Sequence, residues 1–169
     1  MNSNLTAIVT SLKPRVLSLV YEQKYGFIKD GNSQQLGGEH DLQLLITLRD
    51  RSDLIVSTAK TAEIEKYKQP SKPLVLITTR SDAAPWLEAR RLTLEEPELE
   101  TLLSGKNVLF ETGLMVSTEL YRLGLIDQVL IHHDLEDFDP SNLIGMEMEP
   151  VMTAPYFDRH ISVLERRGS

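Results

Sequence analysis

LRDRSDLIVSTAKTAEIEKY, residues 48–67, and NVLFETGLMVSTELYRLGLIDQVLI, residues 107–131, share one plan. Each carries an apolar strand into a small polar turn and then a helix. The second closes at Gly124 and starts another apolar strand. Strand-to-helix turns rich in small hydroxyl residues are places where backbone N–H groups and a helix dipole can hold an anionic group. The pair points to a nucleotide-binding α/β domain.

Outward from these units, hydrophobic period and turn residues predict the remaining elements. Residues 1–13 read as a loosely held, flexible N-terminal arm, and 14–169 as a single domain. A first strand is expected over 16–21, followed by a loop punctuated by Gly26, Gly31 and the pair Gly37-Gly38. Residues 39–50 predict a helix with Leu42, Leu45, Ile46 and Arg49 on one face. Strand 53–57, short helix 61–67 and strand 74–79 come next, with Pro70 and Pro73 between the last two. The middle predicts a strand over 89–94 and a helix over 97–103. Strand 108–111, helix 114–123 and strand 128–132 follow, then a turn-rich segment 137–145 and final strands near 147–153 and 160–166. Strands alternating with short helices imply a three-layer α/β sandwich, with a mostly parallel central sheet and antiparallel C-terminal strands.

Composition narrows the chemistry. At 169 residues the chain is long enough to bury a core without staples. It has no cysteine, which excludes disulfides, thiolate metal sites and cysteine nucleophiles. A formal charge of −7 and a pI near 5.1 argue against a nucleic-acid partner, which would want clustered Lys and Arg. No apolar run approaches the roughly 18 residues of a membrane helix, so no membrane partner and a cytoplasmic location are expected. A phosphate-loop motif, a nucleophile elbow and a complete G-x-G-x-x-G are all missing.

Several local patterns complete the resemblance that the two units begin. Leu48, Arg49, Asp53, Leu54, Ile55, Val56, Thr61, Glu65 and Tyr67 fall in one ordered series. Val108, Leu109, Phe110, Glu111, Thr112 and Gly113, then Gly124, Leu125, Ile126, Asp127, Gln128 and Val129, form a second. Ile77, Thr78, Thr79, Arg80 and Ser81 form a third. In order and spacing the chain resembles the reductase domain of the bacterial bifunctional riboflavin-biosynthesis deaminase-reductase, over roughly residues 14–167. That resemblance implies the dihydrofolate-reductase-like fold and hydride transfer from NADPH to a small-molecule substrate of the pyrimidine, pterin or folate kind. It places Ser57, Thr58 and Thr61, and Thr112, Gly113 and Leu114, at the cofactor. Tyr25, Ser33, Arg49 and Glu111 are expected at the substrate. No dedicated acid–base residue is assigned, because the cofactor carries the chemistry.

The departures from that family are specific. Leu19 stands at the family's first-strand Lys and Tyr25 at its Asp; Ser33 is kept in a G-x-S-x-W segment whose aromatic is lost; residues 63–68 replace its substrate-phosphate stretch. Each missing charged contact would cost around 2 kcal/mol, which disfavours the family's own phosphorylated pyrimidine. Tyr25 either stacks on a flat ring or plugs a smaller pocket. Gly113 either approaches a phosphate or serves a tight turn. Arg49 is either a ligand or a helix-end partner of Asp50 and Asp53, and Glu111 either a pocket group or an acceptor for turn amides. His132 and His133 are adjacent on a strand and point to opposite faces, so no metal site is assigned. Trp86 reads as a packed or partner-facing aromatic, and Met146, Met148 and Met152 as core or interface filler. A homodimer through the late strands is the expected assembly. The competing reading is a non-catalytic ligand-binding or interaction protein that kept the fold.

Overall fold

The computed structural model describes residues 3–27 and 40–168 of the chain. Its sheet runs β5(Arg90–Leu92), β4(Leu74–Ile77), β3(Leu54–Thr58), β6(Val108–Glu111), β1(Arg15–Glu22), β7(Gln128–His133), β9(Arg159–Arg166), β8(Met148–Tyr156) in spatial order. The first six are parallel to their neighbours, and β9 and β8 join antiparallel. A two-residue strand β2(Gly26–Phe27) folds back on β1. Every residue of β3, β4, β6 and β7 is buried, as expected of central parallel strands covered on both faces.

Helices cover both faces, giving the three layers read from the sequence. On one face α1(Ser3–Ser11) and α2(Asp41–Arg51) bury Leu5, Ile8, Leu44 and Leu48 against Val16, Leu109, Leu130 and Ile161. Beside them α3(Ala59–Ile64) packs Ala62 on Ile55, Leu74 and Leu76. On the other face α4(Glu98–Leu103) and α5(Leu114–Arg122) pack Leu99, Leu103 and Leu120 on Val56, Val108, Phe110 and Val129. Gly124, at φ +74°, stops α5. Its N–H reaches Tyr121 O and that of Leu125 reaches Leu120 O, both at 3.0 Å, the paired bonds of a Schellman cap.

Three expectations are corrected. The segment read as a flexible arm carries α1; its Leu5 and Ile8, and Leu12 just past its end, recur at helical spacing and are all buried. Asn4 Nδ2 donates to Pro155 O at 2.8 Å, and Arg51 Nη2 donates to Lys13 O at 3.0 Å, so the segment is tied at both ends. On α2 the buried positions are Leu44 and Leu48, while Leu42 and Ile46 lie on the solvent side. The residues after β1, expected as loop, fold back as β2 in a hairpin on β1. Met146 and Met148 are buried, and Met152 is partly so.

The loop after β4 is gathered by Arg91, whose guanidinium donates to the carbonyls of Ala83, Ala84, Leu87 and Ala89. It carries the half-exposed Trp86, whose Nε1–H donates to Tyr67 O at 2.8 Å. At the far margin of the sheet β8 carries Pro150 and Pro155 and a register shift between Pro150 and Met152. Prolines and bulges blunt an edge strand against further pairing. Among the described residues no helix is long and apolar enough to cross a membrane.

Leu5→Ala should cost about 2–4 kcal/mol in urea unfolding, the range for emptying a buried leucine site; a loose arm would give no change. His133 is fully buried, and burial, followed by the neighbouring His160 and His132, lowers its pKa to about 4. The unfolded chain binds that proton near the ordinary 6.5, so this contribution is intact above that pH and falls away as pH drops toward 4. Unfolding midpoints measured across this window should decline, and His133→Gln should flatten the decline.

Candidate functional site

The chain leaves β1 through α2 for β3, and leaves β6 through α5 for β7. These two crossovers run in opposite directions over opposite faces of adjacent parallel strands. Such a switch point opens a crevice at the carboxyl ends of the strands. The crevice here encloses about 690 Å³ of atom-free space, open solvent at its mouth included. β1 supplies Ser18, Leu19 and Val20 to its wall, and β2 supplies Phe27. Asp41, Leu44 and Leu45 come from α2; Thr61, Glu65 and Tyr67 from α3 and the residues after it; and Glu111 to Leu114 from the β6–α5 turn.

At the back of the cleft three side chains close on one another. Arg49, in the last turn of α2, donates Nε–H to Glu111 Oε2 and Nη2–H to Glu111 Oε1, each at 2.7 Å. The Tyr67 hydroxyl donates to the same Oε1 at 2.5 Å, and the guanidinium lies 5.2 Å from the Tyr67 ring centre. Burial opposes the Arg49 charge, but the bond to Glu111 and its negative charge outweigh it and hold the pKa above its ordinary value. Burial, then the charge of Glu111, pushes the Tyr67 hydroxyl well above the usual tyrosine range. The unit is therefore cation, carboxylate and neutral phenol. Arg49 thus pairs with neither Asp50 nor Asp53; Asp53 instead accepts from Asn107 N at 2.9 Å. Glu111 accepts from side chains.

The two polar turns sit side by side, because β3 and β6 are neighbours and Ser57 pairs with Glu111. Their hydroxyls are largely used within the turns. Thr58 Oγ1 accepts from Thr61 N at 3.0 Å as the N-cap of α3. Ser57 Oγ donates to Glu111 O at 2.9 Å. Thr112 Oγ1 and Ser117 Oγ are 2.7 Å apart. Thr61, Thr112, Gly113 and Leu114 line the cleft, whereas Ser57 and Thr58 stand behind it. Gly113 is the N-cap of α5 and offers no side-chain cap, and no atom lies within 4 Å of where a Cβ would stand. The first intrahelical bond is Ser117 N to Gly113 O, so the N–H groups of the first turn have no partner inside the helix.

Of the four residues expected at the substrate, Glu111 lines the cleft and Arg49 buttresses it from behind. Tyr25 sits in the turn between β1 and β2, 54% exposed with the Lys24 ammonium 5.3 Å from its ring, and does not line the cleft. Its place is set by the hairpin, which carries the turn beyond the wall formed by Phe27. Ser33 lies outside the described residues. Sequence reading left Asp41 and Tyr67 without a role; an acid in the first turn of a helix and a Tyr at the end of a quoted motif were the available signals. His132 and His133 face opposite sides of the sheet: His132 Nδ1 meets Asp41 Oδ1 at 2.9 Å, and His133 Nε2 meets Ser162 Oγ at 2.7 Å.

No family model and no curated protein sequence matches the chain. Solved structures do. A pyrimidine reductase-like protein from Corynebacterium diphtheriae is similar at 16% identity and a TM-score of 0.69, over 97% of this chain and 98% of that one. A dihydrofolate reductase from Enterococcus faecalis, solved with NADP(H), is similar at 16% identity and a TM-score of 0.64, over 90% and 95%. A protein assigned provisionally to riboflavin biosynthesis in a Shewanella species is similar at 14% identity and a TM-score of 0.61, over 92% and 99%. The chain has the dihydrofolate-reductase-like fold that these structures share.

Because Glu111 is both the acceptor for Tyr67 and the counter-charge of Arg49, Glu111→Gln should destabilise by about 3 kcal/mol in urea unfolding. Tyr67→Phe, which removes the hydroxyl that donates to Glu111 and faces Ser57 Oγ but keeps the ring, should cost only about 1–2 kcal/mol.

Proposed function

We propose that this protein is an NADPH-dependent reductase of a small heteroaromatic compound of the pyrimidine, pterin or folate type. The observation that carries this reading is the open start of α5: an uncapped helix terminus at Gly113, beside the neighbouring turn of β3, at the switch point of the sheet. Amides there suit a pyrophosphate, and the missing Cβ lets phosphate oxygens come close. Thr61, Thr112 and Leu114 would flank the dinucleotide. When bound, the nicotinamide supplies the hydride. The chain's own part is to orient the two reactants and exclude water from the apolar wall of Leu19, Val20, Leu44 and Leu45.

One observation favours the second reading, a binding protein without turnover. Arg49 and Glu111, both expected at the substrate, satisfy each other, and the first-strand Lys of the resembling family is Leu19 here. The reductase remains the better account, because that closure leaves the cleft and the Gly113 turn open.

Titration of NADPH against the protein, followed by cofactor fluorescence, should saturate in the micromolar range. Gly113→Asp should weaken binding by about tenfold or more, since a carboxylate would meet the phosphates. No binding at millimolar NADPH would remove the reductase reading; binding untouched by Gly113→Asp would put the cofactor elsewhere.

A further inference from the structure

The sheet ends on two unlike margins. β8 is blunted by Pro150, Pro155 and its register shift, whereas β5 at the opposite margin has no proline and no strand beyond it among the described residues. The two faces beside β5 are covered differently. On one lies the loop that brings Ala84 and Leu87 onto Ile55, Leu74 and Leu76; on the other lies α4, whose Leu99 and Leu103 pack with Val56, Leu92 and Val108. β5 holds both, because Arg91 gathers the loop through four carbonyls and Arg90 pairs with Glu98 of α4.

The loop presents an aromatic in a fixed position. Trp86 is 52% exposed beside the exposed Pro85, and its one polar atom already donates to Tyr67 O, so the indole offers solvent an apolar surface. Beyond it, Gln69 Nε2 donates to Glu88 O at 2.9 Å and Glu88 N donates to Gln69 Oε1 at 2.6 Å. Close to the indole, Lys66 at φ +51° and Ala84 at φ +48° hold the left-handed backbone that residues with side chains rarely adopt. Such strain persists only where the surroundings over-determine it. An aromatic fixed in advance loses little freedom when a partner covers it, and tryptophan is enriched among the residues that anchor interfaces.

The charges of the two flanks are opposite. Lys66 and Lys68 adjoin the residue that Trp86 bonds to, and Lys60 stands on the outer side of α3; all three are exposed and make no ion pair among the described residues. Asp82 and Glu88 offset part of that charge, yet residues 60–91 have seven Lys and Arg against four Asp and Glu, in a chain with 18 against 25. This flank is therefore the basic part of an acidic molecule. On the α4 flank Glu95, Glu96, Glu98 and Glu100 are exposed, and residues 92–105 contain no Lys or Arg. The half-buried Leu94 and exposed Pro97 give that flank an apolar spot. Adjacent flanks of opposite charge make the margin complementary to itself. A two-fold axis along β5 turns a copy's faces over, so each Trp86 flank meets the copy's α4 flank and one contact forms twice.

We infer that a second copy of this chain docks across the β5 margin, with Trp86 seated on the copy's turn between Leu94 and Pro97, and Lys66 and Lys68 facing its glutamates. The contact needs no ligand in the cleft and stands apart from the cofactor reading.

Sedimentation velocity of the intact chain tests this. In about 50 mM salt the sedimentation coefficient should climb from monomer toward dimer over about 1–300 μM protein, and about 0.5 M salt should weaken association by about tenfold. Trp86→Ala should weaken it by about tenfold or more. Lys66→Glu with Lys68→Glu, and separately Glu95→Lys with Glu100→Lys, change exposed sites and make the facing flanks alike, so each variant should stay monomeric. Mixed in equal amounts, the two variants should form a dimer again. A monomer at every concentration would overturn the docking and leave the Trp86 face to an acidic segment of a different protein. A dimer indifferent to both reversals, or a mixture that stays monomeric, would overturn it as well. Species growing past the dimer would overturn the two-fold arrangement, and full association in Trp86→Ala would remove the tryptophan from the contact.

Discussion

Glu111 sits where β6 ends, Arg49 where α2 ends, and Tyr67 just after α3, so their closure ties a central strand to two crossover segments of one face. Removing a guanidinium and a carboxylate from water costs several kcal/mol, and mutual attraction offsets that only when the remaining hydrogen-bonding positions are filled. Here two N–H groups and one hydroxyl fill both carboxylate oxygens. The arrangement also shapes the chemistry of the cleft, because it withdraws the nearest cation from any ligand and places the wall's rear in a nearly neutral state.

The resulting cleft is electrostatically divided. At the Gly113 end, backbone amides and the dipole of α5 favour anionic groups without a formal positive charge. At the Asp41 end a fixed carboxylate favours donors. The departures from the resembling family, Leu19 for a Lys and a replaced stretch at 63–68, fall on the wall of the cleft, where Leu19 and Glu65 stand.

How much of this was legible in the chain depended on whether the signal was local. The apolar runs 54–56, 108–110 and 129–131 announce strands covered on both faces, and Gly124 announces a helix stop; each survives in the structure. α1 is hard to read although Leu5, Ile8 and Leu12 carry the right spacing, because a helix of 9 residues has little stability of its own and is held by docking on β8 and α2. On α2 the periodicity admitted two faces, and only packing chose Leu44 and Leu48 over Leu42 and Ile46. The partners of Arg49 and Asp41 lie 62 and 91 residues away, distances at which one sequence offers no pairing rule.

Trp86 gives the molecule a built-in optical gauge. The chain has one tryptophan, and its indole nitrogen is bonded to the carbonyl of Tyr67, whose hydroxyl grips Glu111 at the rear of the cleft. Half exposed, the indole senses solvent on one side and that phenol's backbone on the other. Emission colour and quenching therefore follow the posture of Tyr67 with no competing fluorophore of the same class, and without any label.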